Sequence, residues 1–169
     1  MIVVVSDTTP INYLVLIGQV DLLSQLFEKV IIPDAVLQEL SAIRAPDLVK
    51  SWVANLPAWI EVRRCKHLDA TIQLDAGETG AISLALELGA SSVLMDERRG
   101  RYAAQSRGLA VIGTLTILEL ADERGLVRFE DAVQQLQQTN FHLGVLVMNE
   151  AIIRVQKRRQ LKSQGSSLA

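Results

Sequence analysis

Short β-branched runs, each closed by an acid or a proline and followed by a helical stretch, constrain this chain most. Ile2 to Val5 reads as a strand buried on both faces, ending in Ser6-Asp7-Thr8-Thr9-Pro10. Thr9 as N-cap and Pro10 at the first helical position predict a helix that Gly18 ends. Val20 to Phe27 follows as a second amphipathic stretch. Val30 to Ile32 is another strand, stopped by Pro33; Asp34 caps a helix to about Arg44, and Pro46 opens one through Leu56. Ile60 to Val62 is a further strand candidate, and Arg63 to Thr71 reads as loop. The same grammar then returns. Gly77 to Leu88 is helical, Ser92 to Met95 a strand, Glu97 to Ser106 a helix, Leu109 to Ile112 a strand, and Thr114 to Arg124 a helix ended by Gly125. After Phe129 the pattern is helical only, over Glu130 to Gln138 and Met148 to Arg159. Ser163 to Ala169 is small and polar and is expected to fray. Strands alternating with helices of this length predict an α/β fold with a mainly parallel sheet. No repeat or linker divides the chain. One domain is expected, with a body over 1–138 and a helical C-terminal extension of it over 139–169 ending in a basic tail.

Composition removes whole classes of function. With 49% hydrophobic and 21% charged residues in 169, the chain is a folded domain and not a disordered one. No apolar run approaches the roughly 20 residues of a membrane span. The start has no basic n-region, and Asp7 interrupts its apolar stretch, so no secretory signal is read there. Cys65 stands alone, which excludes an internal disulfide and fits a reducing cytoplasm. One cysteine and two distant histidines exclude a structural zinc site. Oxygen is left as the ligand for any metal. The net charge of −2 is unevenly spread: residues 1–150 carry all 19 acids, whereas Arg154, Lys157, Arg158, Arg159 and Lys162 follow with no acid among them. Such a tail is either a solvated end or a contact for a polyanion.

Four acids stand apart from the rest. Ligand sites in open parallel sheets lie at the carboxyl ends of the strands, and Asp7 and Asp96 end two predicted strands. Asp96 is also placed to cap the helix at Glu97. On a helical wheel Glu39 falls inside the apolar arc of Ala35, Val36, Leu40 and Ile43, and Glu78 falls within that of Ala81, Ile82, Ala85 and Leu88. Glu87 lies on the polar side. A carboxylate on a buried face is costly unless it is paired or binds metal. Glu39 has a buried arginine as its other possible partner, and Asp75 with Glu78 has the spacing of a capping box. Taken together, four acids facing one cleft repel, and a hard divalent cation relieves both repulsion and burial. Mg²⁺ or Mn²⁺, one ion or two, held this way supports hydrolysis of phosphodiesters. No G-x-G-x-x-G follows the first strand, so a dinucleotide site is excluded, and a receiver-like phosphoacceptor lacks its second acid and its lysine.

The stretches VVSDTTPINYL, IPDAVLQEL, LDAGETGAISLALELGA and SVLMDERRGRYAAQSRGLAVIGT together resemble the PIN-domain ribonucleases, in particular their compact prokaryotic branch of VapC toxins. They occur in the expected order over residues 2–114. The resemblance implies a three-layer α/β/α PIN-like fold with a mainly parallel sheet. It also implies a metal site of Asp7, Glu39, Glu78 and Asp96, where the glutamate at Glu78 replaces the aspartate frequent in toxins. Glu97 is an alternate ligand or a first-turn acid favoured by its helix dipole. Thr8 and Thr114 are candidates to orient water or bind phosphate, with a turn and a helix cap as their other roles. Arg98, Arg99 and Arg101 are candidates to hold RNA, or else form a solvated helix face. The few aromatics (4%) show no stacking platform for single strands. The function implied is a metal-dependent endoribonuclease, the toxin of a type II toxin–antitoxin pair, in the cytoplasm. The alternative is a non-catalytic PIN-like module binding RNA or protein. The implied partners are RNA, a small cognate antitoxin and a second copy in a homodimer, with no membrane. Leu14 to Leu26 and the helical C-terminus are candidate apolar surfaces for a partner. The segment from Phe141 to Lys162 lies beyond the toxin pattern, and an extra docked helix, a dimer contact or an RNA arm are its possible roles.

Overall fold

The computed structural model of the protein describes residues 2–166. Five strands form one sheet: β1 (Val3–Ser6), β2 (Lys29–Pro33), β3 (Ile60–Arg63), β4 (Ser92–Leu94) and β5 (Val111–Ile112), in the order β3-β2-β1-β4-β5. Every pairing is parallel. From β1 the chain steps outward through β2 and β3, then crosses back to set β4 on the other side of β1. Right-handed crossovers therefore put α1 (Thr8–Leu16), α2 (Leu22–Leu26), α3 (Asp34–Leu40) and α4 (Asp47–Ala54) on one face. By the same rule α5 (Ala76–Leu88) and α6 (Arg98–Gln105) lie on the other. The result is a three-layer α/β/α arrangement, as expected. The direction of winding reverses between β1 and β4, and a crevice opens there at the carboxyl edge. Asp7 and Asp96 stand at its two sides.

The sequence of β1 follows from that layering. Val5 aligns with Ile31 and Val93 and packs with Ala81, Ile82, Leu84 and Ala85 of α5. The alternate residues Val4, Val30, Ile32 and Leu94 are buried on the opposite face. Two covered faces leave no position for a polar residue until the strand ends.

Several boundaries differ from expectation for local reasons. Helix α1 begins at Thr8 with Asp7 in the N-cap position, two residues before the predicted start. Pro10 is tolerated because first-turn N–H groups have no helical partner. Helix α3 stops at Leu40, where the Ser41 hydroxyl donates to the Leu37 carbonyl at 2.7 Å. Ile43, assigned by the wheel to the apolar arc, lies past that end and is 95% exposed. Within the stretch from Leu14 to Leu26, Leu14, Leu22, Leu23 and Leu26 are buried and belong to the core, while Val15 and Leu16 are half-buried.

The chain divides into two compact units, residues 1–114 and 115–169. The second carries the remainder of α7 (Thr114–Glu123), with α8 (Phe129–Gln137) and α9 (Val145–Ser166). Its buried side chains include Phe129, Leu136, Ala151 and Val155. Helix α9 starts before Met148 and continues past Arg159. In the stretch expected to fray, Ser163 lies within α9, its hydroxyl donating to the Gln160 carbonyl at 2.8 Å, and the helix extends to Ser166. The rest of that expectation, over 167–169, lies outside the described residues.

The basic tail is neither a solvated end nor an open polyanion contact along most of its length. Arg154 reaches Glu119 at 2.7 Å, and Arg158 reaches the Glu119 carbonyl at 3.2 Å and Glu123 at 3.4 Å. Arg159 bonds Asp122 and reaches Glu130 at 2.8 Å, and Lys162 reaches the Glu123 carbonyl at 3.2 Å. The acids that match the tail lie some 30 residues earlier, where a reading of local charge does not look for them. No helix among the described residues is long and apolar enough to cross a membrane.

Candidate metal centre

β1 delivers Asp7 to the crevice, and the Asp7 N–H donates to the Leu94 carbonyl at 3.0 Å, tying the ends of β1 and β4 together. Although Asp7 occupies the N-cap position of α1, its side chain bonds no cap N–H. The carboxylate is thus left to the site while being only 3% exposed. Burial pushes its pKa up to about 7; the Thr8 N–H opposes this, and the charges of Asp75, Glu78 and Glu39 add to it. These three neighbouring charges are all negative.

Glu39 enters from α3. The Thr8 hydroxyl donates to its Oε2, and the Gly77 N–H donates to its Oε1 at 2.8 Å. Glycine leaves room for this approach, since a Cβ at position 77 would lie 2.4 Å from Oε2 and displace the carboxylate. The first turn of α5 thereby presents its amide to a carboxylate, the favourable end of a helix for an anion. Asp75 is the N-cap of α5, its Oδ1 accepting the Glu78 N–H at 2.8 Å. One oxygen each from Asp7, Glu39 and Asp75 lie within 4.8 Å of one another. That spacing is what an ion about 2.0–2.4 Å from each oxygen requires.

Glu78, one turn along α5, is 6% exposed, and its Oε1 is buried with no hydrogen-bond partner. Burial lifts its pKa to about 7, Asp75 and Glu97 add to this, and the Asp75 N–H opposes it. On α6, a Cβ at Gly100 would sit 2.8 Å from that oxygen. Asp96 lies outside the tight group of three. The Thr114 N–H donates to its Oδ1 at 2.8 Å and the Thr114 hydroxyl to its Oδ2 at 2.6 Å. Burial raises its pKa, opposed by Thr114 and by Arg101. Burial also raises the pKa of Tyr13, on α1, and the Asp96 charge adds to it. Asp96 therefore caps α7, not the helix at Glu97 that the sequence suggested. An oxygen-only donor set, with raised acids and an unpartnered buried oxygen, fits a hard divalent cation.

A family model described as a PIN domain (DUF3368) matches residues 3–157. The chain belongs to the PIN-domain family. Among solved structures it is similar to a PilT N-terminus domain protein from the hyperthermophilic archaeon Sulfolobus solfataricus P2. The two are 16% identical, 85% of this chain and 100% of the other are covered, and the TM-score is 0.48. No curated protein matches the chain. PIN domains are typically metal-dependent nucleases, and the carboxylate group of this PIN domain is compatible with that chemistry.

The remaining candidates fall into separate places. Thr8 orients Glu39, and Thr114 orients Asp96, so both hydroxyls act on acids of the site. Glu97 is exposed and makes no side-chain cap bond. Arg101 donates to the Met95 carbonyl at 3.1 Å, holding the turn that carries Asp96. Arg98 and Arg99 instead line an open cleft of about 610 Å³ with Ile72, Gln73, Tyr102 and Arg107. Two features escaped the sequence reading. Asp75 was read only as a helix cap, and it caps with one oxygen while belonging to the acid group. Tyr102, 75% exposed, is an aromatic residue on the wall of that cleft, which the sequence reading did not single out. Its spacing from Arg98 (i, i+4) was the available signal.

Proposed function

We propose that this PIN domain is a Mg²⁺- or Mn²⁺-dependent endoribonuclease, acting in the cytoplasm as the toxin of a type II pair whose antitoxin covers the acidic crevice. The observation that carries the nuclease reading is the buried Asp7 carboxylate, which feels the negative charges of Asp75, Glu78 and Glu39. Asp7, Glu39 and Asp75 would hold an ion, with Glu78 and Asp96 beside them for a second ion or for the proton of the attacking water. A divalent cation held there would supply activation of the attacking water and stabilisation of the leaving oxygen of a phosphodiester. Thr8 and the Gly77 N–H fix Glu39 in place, and Thr114 does the same for Asp96. The substrate strand runs from the acids into the cleft that opens beside Asp75. There Arg98 and Arg99 take phosphates and Tyr102 stacks on a base.

Purified protein is expected to cut RNA only when divalent metal is added, and Asp7→Asn should lower the rate by at least about 100-fold. Wild-type rates in that variant would overturn the reading. Absence of Mn²⁺ binding in a calorimetric titration would favour the non-catalytic module instead. The strand path is tested separately. Tyr102→Ala should raise KM about tenfold at nearly unchanged kcat, while Tyr102→Phe keeps the wild-type KM. An equal loss in both variants would point away from stacking.

A further inference from the structure

Helix α9 turns Ala151 and Val155 inward, where they are fully buried. Its other side carries Leu146, Glu150, Ile153, Lys157 and Leu161, one above another at helical spacing. All five are exposed, the three apolar ones by 78%, 51% and 70% in chain order. Among the described residues Glu150 and Lys157 have no ion pair, although every other base of the tail has one. Arg154 feels the Glu150 charge but turns to Glu119.

This stripe is symmetric in chemistry about its own midpoint, between Ile153 and Arg154. Leu146 and Leu161 are equidistant from that point, and so are Glu150 and Lys157. When a second α9 is laid antiparallel across a two-fold axis there, leucine meets leucine at both ends. Glu150 meets Lys157 twice, and the two Ile153 side chains meet beside the axis. Parallel pairing sets Glu150 against Glu150 and Lys157 against Lys157. Sliding the antiparallel copy by one turn places Leu161 opposite Glu150 or Leu146 opposite Lys157. One register satisfies every position, which is the self-complementarity an isologous contact demands.

We propose that the outward stripe of α9 is a dimer surface, occupied by α9 of a second copy of this chain running antiparallel. The seam spans about 22 Å from Leu146 to Leu161. A contact of that length is at the small end of specific interfaces, so the pairing is concentration-dependent. It goes beyond the nuclease reading and stands without it, since no acid of the metal centre takes part.

The test is sedimentation velocity of the metal-free full chain at low salt over a wide concentration range. Wild type is expected to shift from monomer to dimer as concentration rises. Glu150→Lys or Lys157→Glu alone sets like charges opposite each other and should weaken self-association about tenfold. The double exchange Glu150→Lys with Lys157→Glu reverses both charges and should recover the wild-type value. Both positions are exposed, and unchanged far-ultraviolet dichroism and Tm confirm that each variant folds. A monomer at the highest soluble concentration overturns the proposal. So does a dimer unmoved by either single change, or a double exchange as weak as the singles.

Discussion

The two units bury carboxylates to similar depth and treat them in opposite ways. In the first, Asp7 is 3% and Glu78 is 6% exposed, and both are driven up to about 7. In the second, Glu119 is 6% exposed and Asp122 is as deeply placed, yet Asp122 lies below its ordinary value. Burial pushes Asp122 upward as well. The Arg159 guanidinium and the Phe129 N–H outweigh it. The difference lies in what surrounds each acid, not in burial itself. The second unit brings its own cations from the tail of α9. In the first, Asp7 feels the charges of the acids Asp75, Glu78 and Glu39, so burial and repulsion act in the same direction.

The contrast is broken most directly by removing a tail cation. Arg159→Met keeps the length of the side chain and leaves Asp122 buried without its guanidinium. Arg159 is partly exposed, so the penalty falls below that of a fully buried pair, at about 2–3 kcal/mol of unfolding free energy. Urea unfolding measures it. A loss under about 0.5 kcal/mol would show that solvent, not Arg159, satisfies Asp122, and the two acid groups would then differ less than their surroundings suggest.

How much of this was legible in the sequence follows the same division. β1 was readable because four consecutive apolar residues before Asp7 admit only a strand covered on both faces. Asp7 was readable as an acid that ends a predicted strand, and Glu39 as an acid inside an apolar helix arc, where burial makes it costly. Asp75 was hidden because a helix cap is a sufficient reason for an aspartate there, and nothing local shows that the second oxygen is free for other use. The α9 pairings were hidden for a different reason. Glu119 and Arg154 are brought together across 35 residues by packing, and charge runs along the sequence carry no trace of that. Ile43 was misplaced because the wheel assumes that the helix continues, and the Ser41 hydroxyl ends it first. Tyr102 was overlooked because a low aromatic count says nothing about where the few aromatics point.

A smaller effect separates the two acid groups by pH. An unfolded chain titrates Asp near 3.9 and Glu near 4.3, whereas folded Asp7 and Glu78 titrate at about 7. Between roughly pH 4 and pH 7 the folded state therefore binds more protons than the unfolded one, and its stability falls as pH rises. The lowered acids Asp122 and Glu130 have the opposite slope. Theirs is confined to acid pH, where the unfolded carboxylates take up protons. The windows do not overlap, so the metal-free protein should lose about 1–2 kcal/mol between about pH 5.5 and 8, a fall of a few degrees in Tm. Asp7→Asn removes one of the raised acids and should lessen that slope. Mn²⁺ should raise Tm at pH 8, where the carboxylates are ionised and repel, and scarcely at pH 5.5, where protons compete for the same oxygens. A Tm that holds steady or climbs across this interval without metal would mean the crevice already neutralises its acids, and the comparison with the second unit would fail. A slope that survives Asp7→Asn would instead move the burden to Glu78, with its unpartnered oxygen, and to Asp96, the other acids that burial raises.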